Sequence, residues 1–402
     1  MKMKTITFLL LIASTNFVFS QVNIDSASNT SSSKDSKWYD KIAIRGYLQA
    51  RYNRLLETNP DLKCEQCDKS MGENGGLFIR RMRIIFSGQI SKRVYFYIQP
   101  DFASSAGTTG NIAQLRDAYM DLGLDANNEF RIRIGQSKVP YGFENMQSSQ
   151  NRLPLDRNDA LNSSVTNERD LGAFFYWAPK ATRTLYADLV RDGLKGSGDY
   201  GVFAFGVYNG QTANQTEKND NLHIVSRLSY PIKIKNQIIE PGIQAYTGKF
   251  VLLSTSKDVK KVANLEYLDQ RVAASFILYP KPFGIQAEYN VGRGPEFNKL
   301  TDSIEVRNLQ GGYITLSYLF KAKDQVFIPF ARLQYYKGGK KHELDARSYE
   351  VNELEIGVEW QPSKYFELVA MYTMSQRRFE DYTVKDNFQK GNLLRLQAQI
   401  NF

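Results

Sequence analysis

Cysteine and histidine are almost missing from this sequence, with two of each in 402 residues. Cys64 and Cys67 form one CxxC pair with no second pair, so a four-cysteine zinc or iron–sulfur site has no support. No metal or other cofactor is expected. In an exported chain the pair suits a loop disulfide better than thiol chemistry. His223 and His342 give little basis for catalysis, because no nearby serine stands out as a nucleophile, and nothing points to an enzyme. Long apolar runs are lacking too. After the first twenty residues no segment reaches 18 apolar residues. That excludes a membrane-spanning helix but not a barrel, whose strands are apolar only at alternate positions. The formal net charge is +10, yet no concentrated basic patch accompanies a nucleic-acid-binding pattern, so no nucleic acid partner is expected. Gly193 to Gly201 reads as a turn, since no strand–helix phosphate motif follows.

What is present begins with an export signal. Residues 1–20 open with Lys2 and Lys4, continue through an apolar stretch from Phe8 to Phe19, and offer Val18 and Ser20 as a cleavage site. Its removal takes away two lysines, leaving +10 − 2 = +8. Residues 21–40 are rich in Ser, Asn, Asp and Lys and read as a flexible tail. From 41 to 402 no linker or shift of composition appears, so one domain is expected. Its 24 tyrosines and 24 phenylalanines suit strands and membrane-interface belts.

Period-two alternation runs through this domain. Leu394, Leu396, Ala398, Ile400 and Phe402 share one face, and Arg395, Gln397, Gln399 and Asn401 the other. Ile44 to Tyr52, Met82 to Phe86, Phe130 to Ile134, Ile285 to Val291 and Leu354 to Trp360 repeat the pattern. In water each apolar face needs a second layer. A second sheet is one solution; no convincing helix is seen to supply another. A closed barrel in lipid satisfies both burial and strand edges. Short turns such as Ser87–Lys92 and Lys321–Asp324 alternate with longer polar connections, as in outer-membrane barrels. Leu171 to Trp177 and Leu185 to Leu189 keep one parity, so 171–190 reads as a single strand with an irregularity at Pro179. The fold expected is all-β: a transmembrane antiparallel β-barrel of sixteen strands, with fourteen or eighteen as alternatives.

Five stretches carry a resemblance. They are Phe78-Ile79-Arg80-Arg81-Met82-Arg83, Leu115-Arg116-Asp117-Ala118-Tyr119-Met120-Asp121, Phe130 to Tyr141, Glu168 to Gly172, and Val207 to Gly210. In this order they resemble the phosphate-selective porin O and P family, over about 78–210. The resemblance implies a sixteen-stranded trimeric outer-membrane channel with a constriction built partly by the third external loop. The terminal strand ending on Phe402 is similar to the signal that barrel assembly machinery reads.

Parity sets the sign of the lumen. Arg45, Arg51, Arg81, Arg83, Arg131 and Arg133 fall on polar faces of the first five strands, with Lys138 close behind. A wall of one sign in low dielectric focuses potential and concentrates anions, and guanidinium forks match phosphate and carboxylate oxygens. Arg227, Arg332 and Arg395 extend the path. Asp117, Asp121, Glu288, Glu355 and Glu359 also face inward and form an acidic part of the wall. Ser137 to Glu168 is the third long connection, carrying Arg152, Asp156 and Arg157, and would narrow the pore if folded inward. The function expected is a passive outer-membrane porin for small hydrophilic solutes, preferring anions such as phosphate. A weakly selective porin, or a barrel that binds through its surface loops, is the alternative.

Overall fold

A polar residue facing inward and an apolar one facing out, repeated along strand after strand, closes here into a cylinder. The computed structural model describes residues 38–62, 76–106 and 109–402. Cys64 and Cys67, the export signal and the tail before Trp38 lie outside them. Eighteen hydrogen-bonded segments form one antiparallel sheet. Two of them, Ile232–Ile234 and Phe320–Ala322, only continue the strand before them, which leaves sixteen strands. They are β1 (Ile42–Leu55), β2 (Leu77–Gln89), β3 (Val94–Ala106), β4 (Thr109–Gly123), β5 (Phe130–Lys138), β6 (Arg169–Trp177), β7 (Phe203–Tyr208) and β8 (His223–Ser229). Then follow β9 (Gln237–Val251), β10 (Glu266–Leu278), β11 (Phe283–Asn298), β12 (Ser303–Tyr318), β13 (Gln325–Gly339), β14 (Ser348–Ser363), β15 (Phe366–Glu380) and β16 (Phe388–Asn401). Among the described residues three α-helices interrupt them: α1 (Phe143–Met146), α2 (Asp159–Asn162) and α3 (Lys180–Arg191).

Pairing of β1 with β16, from Tyr47↔Asn401 to Tyr52↔Leu396, closes the barrel. Phe402 carries the pairing one residue further, exchanging backbone hydrogen bonds of 2.7 and 3.0 Å with Gly46. Its ring lies where a Cβ on residue 46 would stand, so only glycine admits it there.

Burial is inverted relative to a water-soluble protein. Ile44, Leu333 and Ile243 are 67%, 56% and 54% exposed, while Arg51 and Arg395 are fully buried. Among the described residues no second sheet or helical layer covers the apolar rows. Each such side chain left in water would forgo roughly 1.5–3 kcal/mol of burial; lipid supplies that environment instead. No described helix is long and apolar enough to cross a membrane. Aromatic stacks such as Phe320–Phe327–Trp360, with centroids 5.4 and 6.3 Å apart, mark the short-turn end.

Three local features depart from simple alternation. The stretch read as one strand over 171–190 ends at Trp177, and α3 follows, with Pro179 fixing the turn before it. Thr182, Tyr186 and Leu189 are its buried face, at helical spacing. Leu185 and Leu189 keep strand parity only because a step of four suits both periods. The count of sixteen survives because Phe203–Tyr208 supplies the seventh strand. Secondly, the long polar connections that the sequence suggests at Phe102–Ile112 and Gly292–Asn308 are mostly strand: β11 and β12 pair down to Asn298↔Ser303, leaving four residues between them. Thirdly, β2 holds a bulge. Gln49 pairs with Arg81 and Ala50 with Ile79, so Arg80 is passed over in the ladder.

Candidate functional site

The third connection, 139–168, folds into the barrel rather than standing outside it, and nearly every residue in it is buried. Val139, Tyr141, Leu161 and Val165 pack against Phe174, Tyr176, Val225 and Tyr246 of the β6–β9 wall. Leu153 and Leu155 pack against Ile328, Phe330, Val369 and Met371 of β13 and β15. The loop's own backbone is held by caps: Asn158 accepts the Leu161 N–H at 2.9 Å, and Glu144 accepts the Asn158 N–H at 2.8 Å. Glu288 of β11 accepts the N–H groups of Phe143 and Glu144 at 2.6 and 2.9 Å, fixing the start of α1.

Ion pairs complete the docking. Arg332 meets Glu144 at 2.9 Å and Glu355 at 2.5 Å. Arg395 meets Asp156 at 2.5 Å and Glu355 at 2.8 Å. Arg51 meets the other Asp156 oxygen at 2.9 Å and the Leu155 carbonyl at 2.8 Å. Arg377 meets Asp159 at 2.9 Å and Glu353 at 3.0 Å, and Lys340 also holds Asp159. Burial alone would raise these loop carboxyls. Arg51 and Arg395 instead hold Asp156, and Arg377 and Lys340 hold Asp159, well below the usual carboxylate range.

The loop leaves space on the side it does not pack. A cavity of about 250 Å³ lies between it and β2 and β4. Five arginines line it, Arg80, Arg81, Arg83, Arg116 and Arg157, against the carboxylates of Asp156, Glu168 and Glu343. Arg83 pairs with Asp101 at 2.7 Å, Arg81 donates to Gln49 at 2.8 Å, and Arg157 pairs with Glu168. Arg152, within Coulombic reach of Arg81, is 4% exposed, and none of its three side-chain nitrogens has a protein hydrogen-bond partner. Burial, with Arg81 close by, draws its guanidinium down to about 9. A second cavity, about 370 Å³, holds Arg93, Arg131, Arg133 and Arg183 with Asp121 and Asp199. There Arg133 grips Asp121 at 2.7 Å and lies 3.9 Å over the Tyr119 ring. A third, about 310 Å³, opens beside Arg45, Lys195, Lys364 and Glu367.

The residues singled out in the sequence thus separate. Arg81, Arg83 and Arg157 border the first cavity, Arg131, Arg133 and Asp121 the second, and the exposed Arg45 the third. Arg51, Asp156, Glu288 and Glu355 bind the loop in place. Lys138 donates to the carbonyls of Met146 and Gln147 at 2.9 and 2.5 Å. Asp117 accepts from Arg169 at 2.9 Å, and Glu359 from Lys195 at 2.5 Å. Unbroken alternation from Met82, Ile84 and Phe86 would turn Arg80 toward lipid; the bulge turns it to the cavity. The cost of an arginine on the lipid face, about 2–4 kcal/mol at mid-membrane, was the signal that the phase must slip between Ile79 and Met82. Sequence reasoning also misses Arg377, Glu144 and Asp159, the first because Gln376–Lys390 reads as a long polar connection whereas Arg377 lies in β15.

Comparison with known proteins agrees with this architecture. A family model for the phosphate-selective porin O and P matches residues 60–402. No curated protein matches the sequence significantly. Among solved structures, the outer membrane channel DcaP of Acinetobacter baumannii is similar with TM-score 0.53 and 13% identity, over 90% of this chain and 97% of that one. The anion-selective porin from Comamonas acidovorans gives 0.53 and 10%, over 90% and 99%. A trimer form of OmpT from Vibrio cholerae gives 0.51 and 7%, over 90% and 99%. At these identities the structures speak for the fold, and the family model for descent. The chain belongs to the phosphate-selective porin O and P family and is an outer-membrane porin.

Proposed function

We propose that this porin passes small hydrophilic solutes with a preference for anions, phosphate among them, and that they travel between the β2–β4 wall and the inner loop. The observation that carries the proposal is the balance around the 250 Å³ cavity: five arginines against three carboxylates, with Arg152, which has no protein hydrogen-bond partner, within reach of Arg81. In a narrow, low-dielectric passage this surplus raises the local anion concentration. Moderate sites in series, here the three cavities, attract an ion and still release it. Arg45, Arg81, Arg83, Arg131, Arg133, Arg152 and Arg157 are the path residues; Arg51 and Lys138 contribute field while holding the loop.

A weakly selective pore is the second reading. It is favoured by the pairing of Arg83, Arg131 and Arg133 with Asp101, Asp199 and Asp121. Reversal potentials in a KCl gradient separate the two. The wild type is expected to favour chloride, and replacing Arg81, Arg83, Arg131 and Arg133 with serine to reduce that preference. An unchanged permeability ratio would refute their role. Block of chloride current by low phosphate supports a phosphate site; no block leaves a general anion pore. A homotrimer, by analogy with the OmpT trimer form, and delivery by the barrel assembly machinery through Phe402 complete the proposal.

A further inference from the structure

A depression of about 820 Å³ lies not in the lumen but on the lipid-facing wall of β10–β16. Small side chains make it: Ala274, Ala287 and Gly312 leave the sheet low between taller neighbours such as Phe276, Leu333 and Leu354. The register fixes its direction. Gly312 stands opposite Tyr335, Tyr335 opposite Asn352, Asn352 opposite Gln376, and Gln376 opposite Lys390. This row begins apolar at Ala274 and Tyr289 and ends on two amides and a cation. Seven adjacent strands at about 4.8 Å each span roughly 29 Å, the scale of one extended acyl chain with its headgroup. Ala274 lies deep along β10, and Lys390 is the third residue of β16, near the long-loop rim. Barrel strands tilt by about 35–45°, so the row descends obliquely from the rim into the bilayer.

The charges at the rim differ in a telling way. Lys337 and Arg378 both pair with Glu350. Lys390, by contrast, has no ion pair among the described residues, and the side chains of Asn352 and Gln376 have no hydrogen-bond partner there. Hydrogen-bonding groups and an unmatched cation therefore stand at the shallow end of an apolar trough.

We propose that this trough is a binding site for one lipid, an acyl chain lying over Ala274, Ala287 and Gly312 and an anionic headgroup held by Lys390, Gln376 and Asn352. The site is independent of ion selectivity in the lumen. The test is native mass spectrometry of the full porin in nonionic detergent, titrated separately with phosphatidylglycerol and phosphatidylcholine of identical chains. One tightly retained phosphatidylglycerol per chain is expected, with weaker phosphatidylcholine. Lys390→Gln should cut the preference for the anionic lipid about fivefold, as expected for one lysine at a charged membrane surface, without altering conductance. Ala287→Leu and Ala274→Leu should weaken both lipids, with heat-modifiable gel mobility confirming that the barrel folds. Equal retention of the two lipids by the wild type, or an unchanged preference in Lys390→Gln, overturns the proposal. So does a loss of oligomer in the trough-filling variants, which would make a second copy of the chain the occupant.

Discussion

Two sectors of the inner wall use the same residue for opposite ends. On β13–β16, Arg332, Arg377 and Arg395 are buried and each is bonded to at least one loop carboxylate, Glu144, Asp159 or Asp156. On β2 and β4, Arg80, Arg81, Arg83 and Arg116 border open volume, and the loop presents Arg152 and Arg157 toward them. The first sector is a lock. Its charges cancel over a few ångströms and send little field into the passage. The second keeps a cationic surplus, because its five arginines outnumber the three carboxylates that line the same space, Asp156, Glu168 and Glu343. An arginine-rich lumen is therefore not by itself a measure of selectivity; what matters is which arginines the inner loop has already neutralised.

The difference is most sharply tested by breaking the lock. Arg332→Ala strips Glu144 and Glu355 of a buried partner, at a cost of roughly 3–5 kcal/mol. The loop should come loose: single-channel conductance rises, and trypsin gains access to Arg152 and Arg157. If conductance and cleavage both stay at wild-type levels, the sector does not hold the loop. Glu288→Gln is the milder case. It weakens two charge-assisted bonds to α1, worth about 1.5–3 kcal/mol each, so cleavage should appear at lower trypsin concentration than in wild type while conductance changes little. On the opposite side, Arg152→Ala removes a cation with no protein hydrogen-bond partner. Loop cleavage should remain as in wild type, and chloride preference should fall by roughly fivefold, the equivalent of about 1 kcal/mol of lost attraction in the passage. A protein destabilised by Arg152→Ala with its permeability ratio intact would reverse the assignments of the two sectors.

How far this division could be read in the sequence depends on distance along the chain. Alternation is local, so the strands, their number and the inward rows of arginine follow from it. So does the terminal pairing strand ending on Phe402. The lock is not local. Arg332, Arg377 and Arg395 find Asp156 or Asp159 across 176, 218 and 239 residues, and no period announces that. Parity also treats every inward arginine alike, which is why Arg51 was grouped with Arg81 although it holds Asp156. Where local pattern itself misled, two rules coincided. Leu185 and Leu189 fit a strand and a helix equally, and Pro179 reads as a flaw in one when it is the start of the other. At Arg80 the alternation that starts at Arg81 gives no guide, because a bulge that lipid energetics demand interrupts it there.

The smallest effect expected is also the most discriminating about what the lock is made of. Asp156 and Asp159 titrate well below an unfolded aspartate because arginine and lysine surround them. A carboxyl depressed on docking contributes its full stabilisation above the free value of about 3.9 and loses it only as pH falls through the docked value. Conductance and trypsin resistance governed by these two groups should then stay flat from about pH 8 to pH 5 and give way only in strong acid, as the aspartates take up protons and Arg51, Arg377 and Arg395 are left facing neutral groups. Bilayer recordings stepped through that range check it. A loop that loosened between about pH 6 and 5 would have to be held by groups that titrate there, and the Arg–Asp pairs would no longer account for why one wall of the lumen is closed and the other open.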